Sequence, residues 1–377
     1  MARSSRKGSG RMRAEVRQAG RIVPFLLLCM GNAGMARVEP PRTLSRGIDR
    51  LLAESYPEDA PGVTVIVTRH GKTVYSGARG LADVDRQLRL KPDSILRYAS
   101  ISNQFTAAMI LKLTQDGKLA LDASASQYLP PCPAAKGVTV RQLLNHTSGI
   151  RSYTDIPGAV SVESTGRVWT TDSLMALFCN QKPVSPPGAR YQYNNSGYVL
   201  LGAIIERATG ISWHDAVMMR TTRPLGLQSI RWGGGAIGKD WARPYTRLGG
   251  GVVGPAQPVD MSFPHAAGAL VGTARDLARW SSALHHGRVV NQALYNQMIS
   301  PTKLTDNTSS EYGFGLENGV VDGVPVIGHS GGIMGGQTDS LYVPSQDLFV
   351  AVLANTDAPA VAPSLTVRRI VTLAMKP

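Results

Sequence analysis

Ser100-Ile101-Ser102-Asn103 begins the helix around which the rest of the predicted fold is arranged. Residues 100–116 carry apolar side chains at helical spacing, and Gly117 follows as a helix terminator. A serine at a helix N-terminus has backbone N–H groups and the positive end of the helix dipole nearby, which favour developing negative charge. Asn103 lies one turn further on, on the same face. Taken alone, such a serine is more often only an N-cap.

Strands are predicted at both ends of the chain, with helices between them. Residues 62–69 and 73–77 are typical of a hairpin, and the amphipathic segment 45–55 precedes it. Further strands are predicted at 312–316, 324–327, 340–343 and 348–353, followed by a helix at 365–375. Tight turns between these strands favour antiparallel pairing. The sequence therefore predicts an α/β fold of the α+β type, with an antiparallel sheet from the two chain ends flanked by helices.

The same pattern predicts a single domain over residues 37–377 with two lobes. An α/β lobe would comprise about 45–98 and 263–377, and a mostly helical inserted lobe about 99–262. Residues 226–262 are rich in glycine and proline and are expected to be irregular. We expect the functional site in the cleft between the two lobes.

Composition excludes several classes of function. The chain has 377 residues and a net charge of +14, but much of that charge lies in the first 21 residues, so no nucleic-acid partner is expected. Residues 1–36 have the order of a secretory signal: basic, then apolar, then small. The apolar run is too short to span a bilayer. We expect a periplasmic or secreted protein, with a disordered basic tail as the alternative.

The cysteines indicate neither a metal site nor a disulfide framework. Of three cysteines, Cys132 and Cys179 lie beyond the predicted leader. They could pair in an oxidising compartment or remain two thiols, and the sequence leaves both alternatives open. Neither has neighbours at zinc-ligand spacing, so no metal and no other cofactor is expected.

Two further clusters carry groups that can do chemistry. The first is Tyr193-Asn194-Asn195, because a tyrosine hydroxyl can move a proton and an asparagine amide can hold a substrate carbonyl. The second is His329-Ser330-Gly331-Gly332, where glycines let a strand backbone approach a ligand and offer N–H groups. Taken in isolation, each cluster has a structural interpretation. The first is also typical of a polar turn before a helix, and the second of a glycine-rich hairpin.

Taken in order, the clusters resemble those of the β-lactamase-related serine hydrolases, the family of class C β-lactamases, D,D-peptidases, esterases and D-aminopeptidases. The run 143–150, Leu-Leu-Asn-His-Thr-Ser-Gly-Ile, is similar to a family motif, as is Tyr-Gly-Phe-Gly-Leu at 312–316. The resemblance implies a β-lactamase/transpeptidase-like fold. It also implies Ser100 as nucleophile, Tyr193 as general base and Asn195 and His329 as substrate-binding residues. The N–H groups of Ser100 and Gly332 would form the oxyanion hole, and Gly331 would be a further substrate-binding residue.

The family motif Ser-x-x-Lys has lost its lysine here, since Asn103 stands at that position. Asn103 can hydrogen-bond Ser100 but can neither accept a proton nor lower the pKa of Tyr193 by its charge. With a tyrosine pKa near ~10, about one phenol in a thousand is ionised at pH 7, which predicts a loss on the order of a thousandfold. His146 is expected to support a loop.

The sequence thus predicts a serine hydrolase that acts on a small-molecule or peptide substrate, an ester or a D-amino-acid amide, through an acyl-serine intermediate. Loss of the lysine predicts impaired activity. One alternative is an inactive relative that binds peptidoglycan-like or peptide ligands, and another is a weak β-lactamase.

Overall fold

The centre of the molecule is a six-stranded antiparallel sheet that both ends of the chain build. Its spatial order is β12 (Glu317–Val321), β13 (Val324–Ile333), β14 (Gly336–Val343), β15 (Leu348–Ala354), β1 (Val63–Arg69) and β2 (Lys72–Arg79). β1 is rich in valine, and it pairs with β15 along its whole length, from Val63 opposite Ala354 to Arg69 opposite Leu348. Both strands are buried on both faces because helices cover the sheet on each side. The computed structural model describes residues 42–235 and 238–376.

The strands vary widely in length. Those of the main sheet are β1 (Val63–Arg69), β2 (Lys72–Arg79), β12 (Glu317–Val321), β13 (Val324–Ile333), β14 (Gly336–Val343) and β15 (Leu348–Ala354). Short pairs and a three-stranded patch lie outside it: β3 (Leu81–Asp83), β4 (Leu88–Arg89), β5 (Leu96–Arg97), β6 (Arg231–Trp232), β7 (Tyr245–Arg247), β8 (Val253–Pro255), β9 (Leu270–Gly272), β10 (Thr302–Lys303) and β11 (Ser309–Ser310).

The helices lie at the chain ends and in the long insertion between β5 and β12. They are α1 (Arg42–Ser55), α2 (Ser102–Gln115), α3 (Val140–Leu144), α4 (Val162–Gly166), α5 (Thr171–Ala176), α6 (Asn195–Thr209), α7 (Trp213–Val217), α8 (His265–Gly268), α9 (Ala274–His285), α10 (Gln292–Ile299) and α11 (Pro363–Met375). None of the helices in the described part of the chain is both long enough and apolar enough to cross a membrane.

Two hydrophobic cores cover the two faces of the sheet. On one face, α1 and α11 place Ile48 and Ile370 against valines such as Val65 and Val352. The core on the other face is larger, and helix α2 runs through it with Phe105 stacked on Trp280, their ring centroids 4.1 Å apart. Burial of such a helix on all sides fixes its N-terminus, where Ser100 and Asn103 lie.

Most of the predicted elements are confirmed, but the strand at 312–316 is wrong. That stretch is a loop, with one bridge between Tyr312 and Glu317, and the strand is β12, Glu317–Val321. The reason is Gly315, which has a φ of +69° and lies so close to α2 that a β-carbon would sit 2.7 Å from the Asn103 carbonyl oxygen. A left-handed glycine in close contact ends strand pairing.

Two other predictions needed adjustment at their boundaries. β13 continues six residues beyond the predicted end, through the glycines, to Ile333. The helix that was expected to begin at Ser100 begins as a 3₁₀ turn, Ala99–Ile101, and becomes α-helical at Ser102. The proposed leader 1–36 lies outside the described residues, and the division into two lobes stays a prediction.

Cys132 and Cys179 form a disulfide, which decides between the two alternatives that the sequence left open. The bond joins the residue before a 3₁₀ turn, Pro133–Ala135, to the segment after α5. Next to it, the N–H of Ala134 donates to the carbonyl of Cys179. The two segments are therefore held together by both a covalent bond and a backbone hydrogen bond.

Reduction of this disulfide should destabilise the protein. The cysteines are 47 positions apart, and closing a loop of that size in the unfolded chain contributes about 4 kcal/mol to the free energy of unfolding. Guanidinium unfolding with and without dithiothreitol measures the effect. The double variant Cys132→Ala/Cys179→Ala is the control, since its midpoint should not respond to reductant. An equal midpoint for the wild-type protein under both conditions contradicts the prediction.

Candidate active site

Ser100 lies in a tight turn that strand β13 crosses at contact distance. A β-carbon at Gly331 would lie 2.8 Å from the carbonyl oxygen of Tyr98 and 2.9 Å from the nitrogen of Ser100, so only glycine fits there. The hydroxyl of Thr338, the residue paired with Gly331 on β14, donates to the same Tyr98 oxygen at 3.0 Å. The neighbouring residue Ala99 has a φ of +48°, an unfavourable conformation that these contacts impose.

One residue further along β13, Gly332 faces open space rather than protein. It lines the same cleft as Ser100 and Asn195. This placement brings the backbone of β13 and of the turn that precedes α2 to one side of the cleft. An oxyanion hole is built from backbone N–H groups in such a position. The structure thus places Gly331 against the turn at Ser100 and Gly332 in the cleft that Ser100 lines, and their role as an oxyanion hole stays a prediction.

Asn195 is the first residue of α6, which the neighbouring Asn194 caps by accepting the N–H of Gly197 at 3.0 Å. The Asn195 side chain is held by its amide N–H, which donates to the Thr154 hydroxyl at 3.2 Å. Its carbonyl oxygen accepts no hydrogen bond from the described residues. That oxygen is consequently available to a substrate N–H.

Asn103 is fully buried and contacts the predicted base, Tyr193. Its amide nitrogen donates to the Tyr193 hydroxyl at 2.7 Å and lies 3.5 Å from Nε2 of His329. The sequence suggested a hydrogen bond from Asn103 to Ser100, but the amide N–H donates to the Tyr193 hydroxyl instead. The Oδ1 atom of Asn103 is buried without a partner among the described residues, which is unfavourable for a polar atom. The Asn103 side chain therefore has a hydrogen-bond partner for its amide nitrogen but none for its oxygen among the described residues.

Tyr193 is a weaker acid than the sequence reasoning assumed. Burial raises its pKa to about 12, although the hydroxyl of Ser100 and the amide of Asn103 both oppose the shift. At pH 7 a phenol with that pKa is ionised in roughly one molecule in 10⁵ rather than one in a thousand. The expectation of an unperturbed tyrosine is wrong, because the phenol is buried and no positively charged side chain of the described residues lowers its pKa.

His329 is a neutral hydrogen-bond acceptor at its Nε2 atom. Nδ1 lies against the carbonyl oxygen of Ser330, which can only accept, so the ring proton is on Nδ1. Nε2 then accepts from the hydroxyl of Tyr312 at 2.8 Å. Burial lowers the pKa of His329. The imidazole therefore supplies no positive charge to the site.

Sequence reasoning did not identify Tyr312 as a site residue. It lies inside the aromatic cluster around the site, with its ring centroid 6.3 Å from that of Tyr193 and 4.6 Å from that of His146. The signal was present, since Tyr312 opens one of the motifs that carry the family resemblance. The spacing within the sequence gave no indication that its hydroxyl would contact His329.

His146 holds a loop against the start of α6. Its Nδ1 accepts the backbone N–H of Asn194 at 3.1 Å, and its φ is +59°. Burial keeps its pKa well below the ordinary value, so this ring is neutral as well. It supports the backbone next to Tyr193 and Asn195 and does not line the cleft.

The cleft beside Ser100 has a volume of about 190 Å³. Its polar wall contains Ser100, Thr154 and Asn195, and the rest is largely apolar. Within residues 42–235 and 238–376, no group of three or more His, Cys, Asp or Glu side chains could hold a metal ion. The chemistry of the site is that of a serine nucleophile next to a tyrosine, an asparagine and backbone donors.

These features define a serine-hydrolase type of site on an antiparallel sheet with a helical insertion. The chain belongs to the Beta-lactamase family, whose model matches residues 48–374. A D-aminopeptidase of Cereibacter sphaeroides is 27% identical over 308 residues, which are 80% of this chain and 58% of that protein. Penicillin-binding protein 4* of Bacillus subtilis is 27% identical over 291 residues, 73% of this chain and 64% of the relative.

Solved structures agree with the family assignment. The crystal structure of a D-stereospecific amidohydrolase from Streptomyces sp. has a TM-score of 0.74 and 28% sequence identity, and the match covers 87% of this chain and 97% of that one. The chain spans little more than half the length of the D-aminopeptidase. The family and the fold are therefore shown, and the activity is a matter for proposal.

Replacing Tyr312 with phenylalanine should leave Nε2 of His329 without its 2.8 Å donor. An unsatisfied buried acceptor costs about 1–3 kcal/mol of stability. Chemical unfolding measures the loss, and ¹⁵N NMR of the imidazole should show a changed Nε2 environment. Tyr75→Phe is the matched control, because that hydroxyl donates to the exposed Asp49 and its loss should cost under about 0.5 kcal/mol. Equal effects of the two variants would argue against the Tyr312–His329 pair.

Proposed function

We propose that this protein is a slow serine hydrolase that cleaves esters or D-amino-acid amides through an acyl-serine intermediate. The observation that carries the proposal is the shared cleft: Ser100, Asn195 and Gly332 line it together. Tyr193 lies beside Ser100 and in hydrogen-bond contact with Asn103. A nucleophile, a proton carrier, a substrate amide holder and backbone donors are the parts that acyl transfer needs.

The reaction would begin when Ser100 Oγ attacks the substrate carbonyl carbon and gives its proton to the Tyr193 phenolate. The backbone N–H groups of Ser100 and Gly332 would hold the negative oxygen of the tetrahedral intermediate. When that intermediate collapses, the leaving amine or alcohol takes the proton from Tyr193 and the acyl group remains on Ser100. Water then attacks the acyl-serine by the same route and releases the acid.

Asn103 sets the rate in this mechanism. Its amide N–H can stabilise the Tyr193 phenolate, but it cannot take a proton or lower the phenol pKa by a full positive charge. The reactive phenolate is consequently scarce at neutral pH. Preorganised N–H donors and the dipole of α2 remain, and such groups alone sustain slow catalysis in other serine hydrolases that lose a catalytic side chain.

The relatives support the choice of substrate. The proteins similar to this chain are described as D-aminopeptidase and D-stereospecific amidohydrolase, so D-amino-acid amides are proposed beside simple esters. A periplasmic or secreted location is proposed as well. The Cys132–Cys179 disulfide supports it, because such bonds persist in oxidising compartments.

A second candidate function is a binding protein without turnover. Two features favour a binding protein. Asn103 cannot accept a proton, and the high pKa of Tyr193 leaves little phenolate at neutral pH, while the cleft and its backbone donors remain in place. Its ligands would be peptidoglycan-like or peptide fragments. A weak β-lactamase is a third candidate that the same assays address.

Asn103→Lys should raise turnover by about 10²–10⁴-fold, the usual contribution of general-base catalysis. Wild type, Asn103→Lys and Ser100→Ala would be compared on p-nitrophenyl butyrate, a D-amino-acid p-nitroanilide and a chromogenic cephalosporin. Asn103→Gln is the matched control, because it lengthens the side chain without adding a base. Circular dichroism checks that each variant folds.

Two results decide between the candidates. Slow wild-type turnover that Ser100→Ala abolishes supports the hydrolase, and the absence of turnover by both the wild type and Ser100→Ala on every substrate supports the binding protein. Wild-type turnover that survives in Ser100→Ala contradicts the proposed mechanism.

Ester hydrolysis by the wild-type protein should rise with pH. Because Tyr193 has a pKa of about 12 and acts as the phenolate, its active fraction grows about tenfold for each pH unit up to that value. The rate between pH 7 and pH 9.5 is measured, and the rate of Ser100→Ala is subtracted to remove base hydrolysis. In Asn103→Lys the lysine charge lowers the tyrosine pKa, so its profile should level off at lower pH. A flat wild-type profile would rule out Tyr193 as the base.

A further inference from the structure

The cleft beside Ser100 has a wall that suits an apolar group. Its apolar lining residues are Val160, Val259, Phe263, Pro264, Ile333 and Met334. The volume of about 190 Å³ is a little larger than the engineered cavity of about 150 Å³ that binds benzene in another protein. A substituent of about phenyl size would fill it, and burying such a group contributes favourably to binding.

The polar side chains of this wall are already engaged. The hydroxyl of Tyr153 donates to the carbonyl of Phe263 at 2.8 Å, and the hydroxyl of Thr165 donates to the carbonyl of Ser161 at 2.8 Å. Thr154 receives the amide N–H of Asn195. Among the polar side chains of this wall, the Asn195 carbonyl oxygen is free to accept a hydrogen bond from a ligand. It can accept one N–H group of a ligand bound next to Ser100.

The residues on the other side of Ser100 are neutral too. Asn103 is an amide, and His329 carries its proton on Nδ1 and accepts at Nε2. An ammonium or carboxylate group in the cleft would find no counter-ion among the lining residues, because Glu317, which acts on His329 and Tyr193, and Arg97, which donates to the Met334 carbonyl, do not line it. Losing hydration without a counter-ion costs several kcal/mol for a fully buried ion. The walls therefore select against charge next to the scissile bond.

We infer that the preferred ligand is an uncharged acyl donor, with an apolar group of about phenyl size in the cleft and an N–H directed at Asn195. An N-acylated amino-acid amide or ester has these features, whereas a free amino-acid amide carries an ammonium group. The inference rests on the proposed function, since it names the substrate class of that same site. It differs from an aminopeptidase specificity, which requires a free amine.

Equilibrium binding to Ser100→Ala tests the inference without turnover. The ligands are N-acetyl-D-phenylalanine amide, D-phenylalanine amide and N-acetyl-D-phenylalanine, measured by calorimetry at pH 6.5, where the free amine is protonated and the carboxyl ionised. The neutral ligand should bind at least tenfold more tightly than either charged one. At pH 9 the amine is uncharged, so the difference in binding affinity between the two amides should become smaller.

A variant pair checks that the cleft is responsible. Val160→Asp places an acid on the cleft wall and should strengthen binding of D-phenylalanine amide about two- to fivefold, the range of a solvent-exposed ion pair. Val162→Asp is the matched control, because it makes the same change two residues away, outside the lining residues. Both positions are more than half exposed, at 52% and 61%, so both variants should fold.

Three results would overturn the inference: equal or tighter binding of a charged ligand at pH 6.5, equal effects of the two aspartate variants, or no binding of any ligand. Failure of the proposed function looks different. If no variant turns over substrate while the neutral ligand still binds tenfold more tightly, the selectivity stands and the hydrolase proposal falls. If hydrolysis is found without this preference, the hydrolase stands and the inference falls.

Discussion

The close crossing of β13 over the turn at Ser100 is the contact on which the site depends. With no side chain at Gly331, the strand backbone reaches the nitrogen of Ser100, and the next residue, Gly332, faces the cleft. Any side chain at position 331 would push the strand away from the turn and separate the two N–H donors. Because β13 lies within the central sheet and α2 runs through the larger core, neither partner can move to relieve such a clash.

The side chains around that contact form a buried network without a fixed positive charge. Tyr312 donates to His329, Asn103 donates to Tyr193, and His146 accepts from the backbone at the start of α6. Two polar atoms of this network, Oδ1 of Asn103 and Nε2 of His146, are buried without a partner among the described residues. The unpaired oxygen at position 103 indicates that this position suits a different side chain better. The network therefore lacks the positive charge that a lysine at position 103 would supply.

Loss of charge has two consequences that point in the same direction. It leaves the burial that raises the pKa of Tyr193 without an opposing positive charge, so the phenolate is scarce at neutral pH, and it leaves both sides of the nucleophile neutral. A charged substrate would find no counter-ion there, whereas an uncharged apolar one would lose little on entering the cleft. The asparagine at position 103 thus bears on both proposals, the slow turnover and the preference for an uncharged ligand.

The sequence by itself determined the strands at both chain ends with helices between them, and the position of Ser100 close to a helix start, because these follow from periodicity and residue type. The missing lysine at position 103 follows from the resemblance to the family motif. The periodicity misplaced the strand at 312–316, since the close contact of Gly315 with α2 joins residues more than 200 positions apart. Only the tertiary structure decided that Cys132 and Cys179 pair, that the Tyr312 hydroxyl donates to His329, and that burial raises the pKa of Tyr193 to about 12. Burial and partner contacts set these properties, and both arise between segments far apart in the chain.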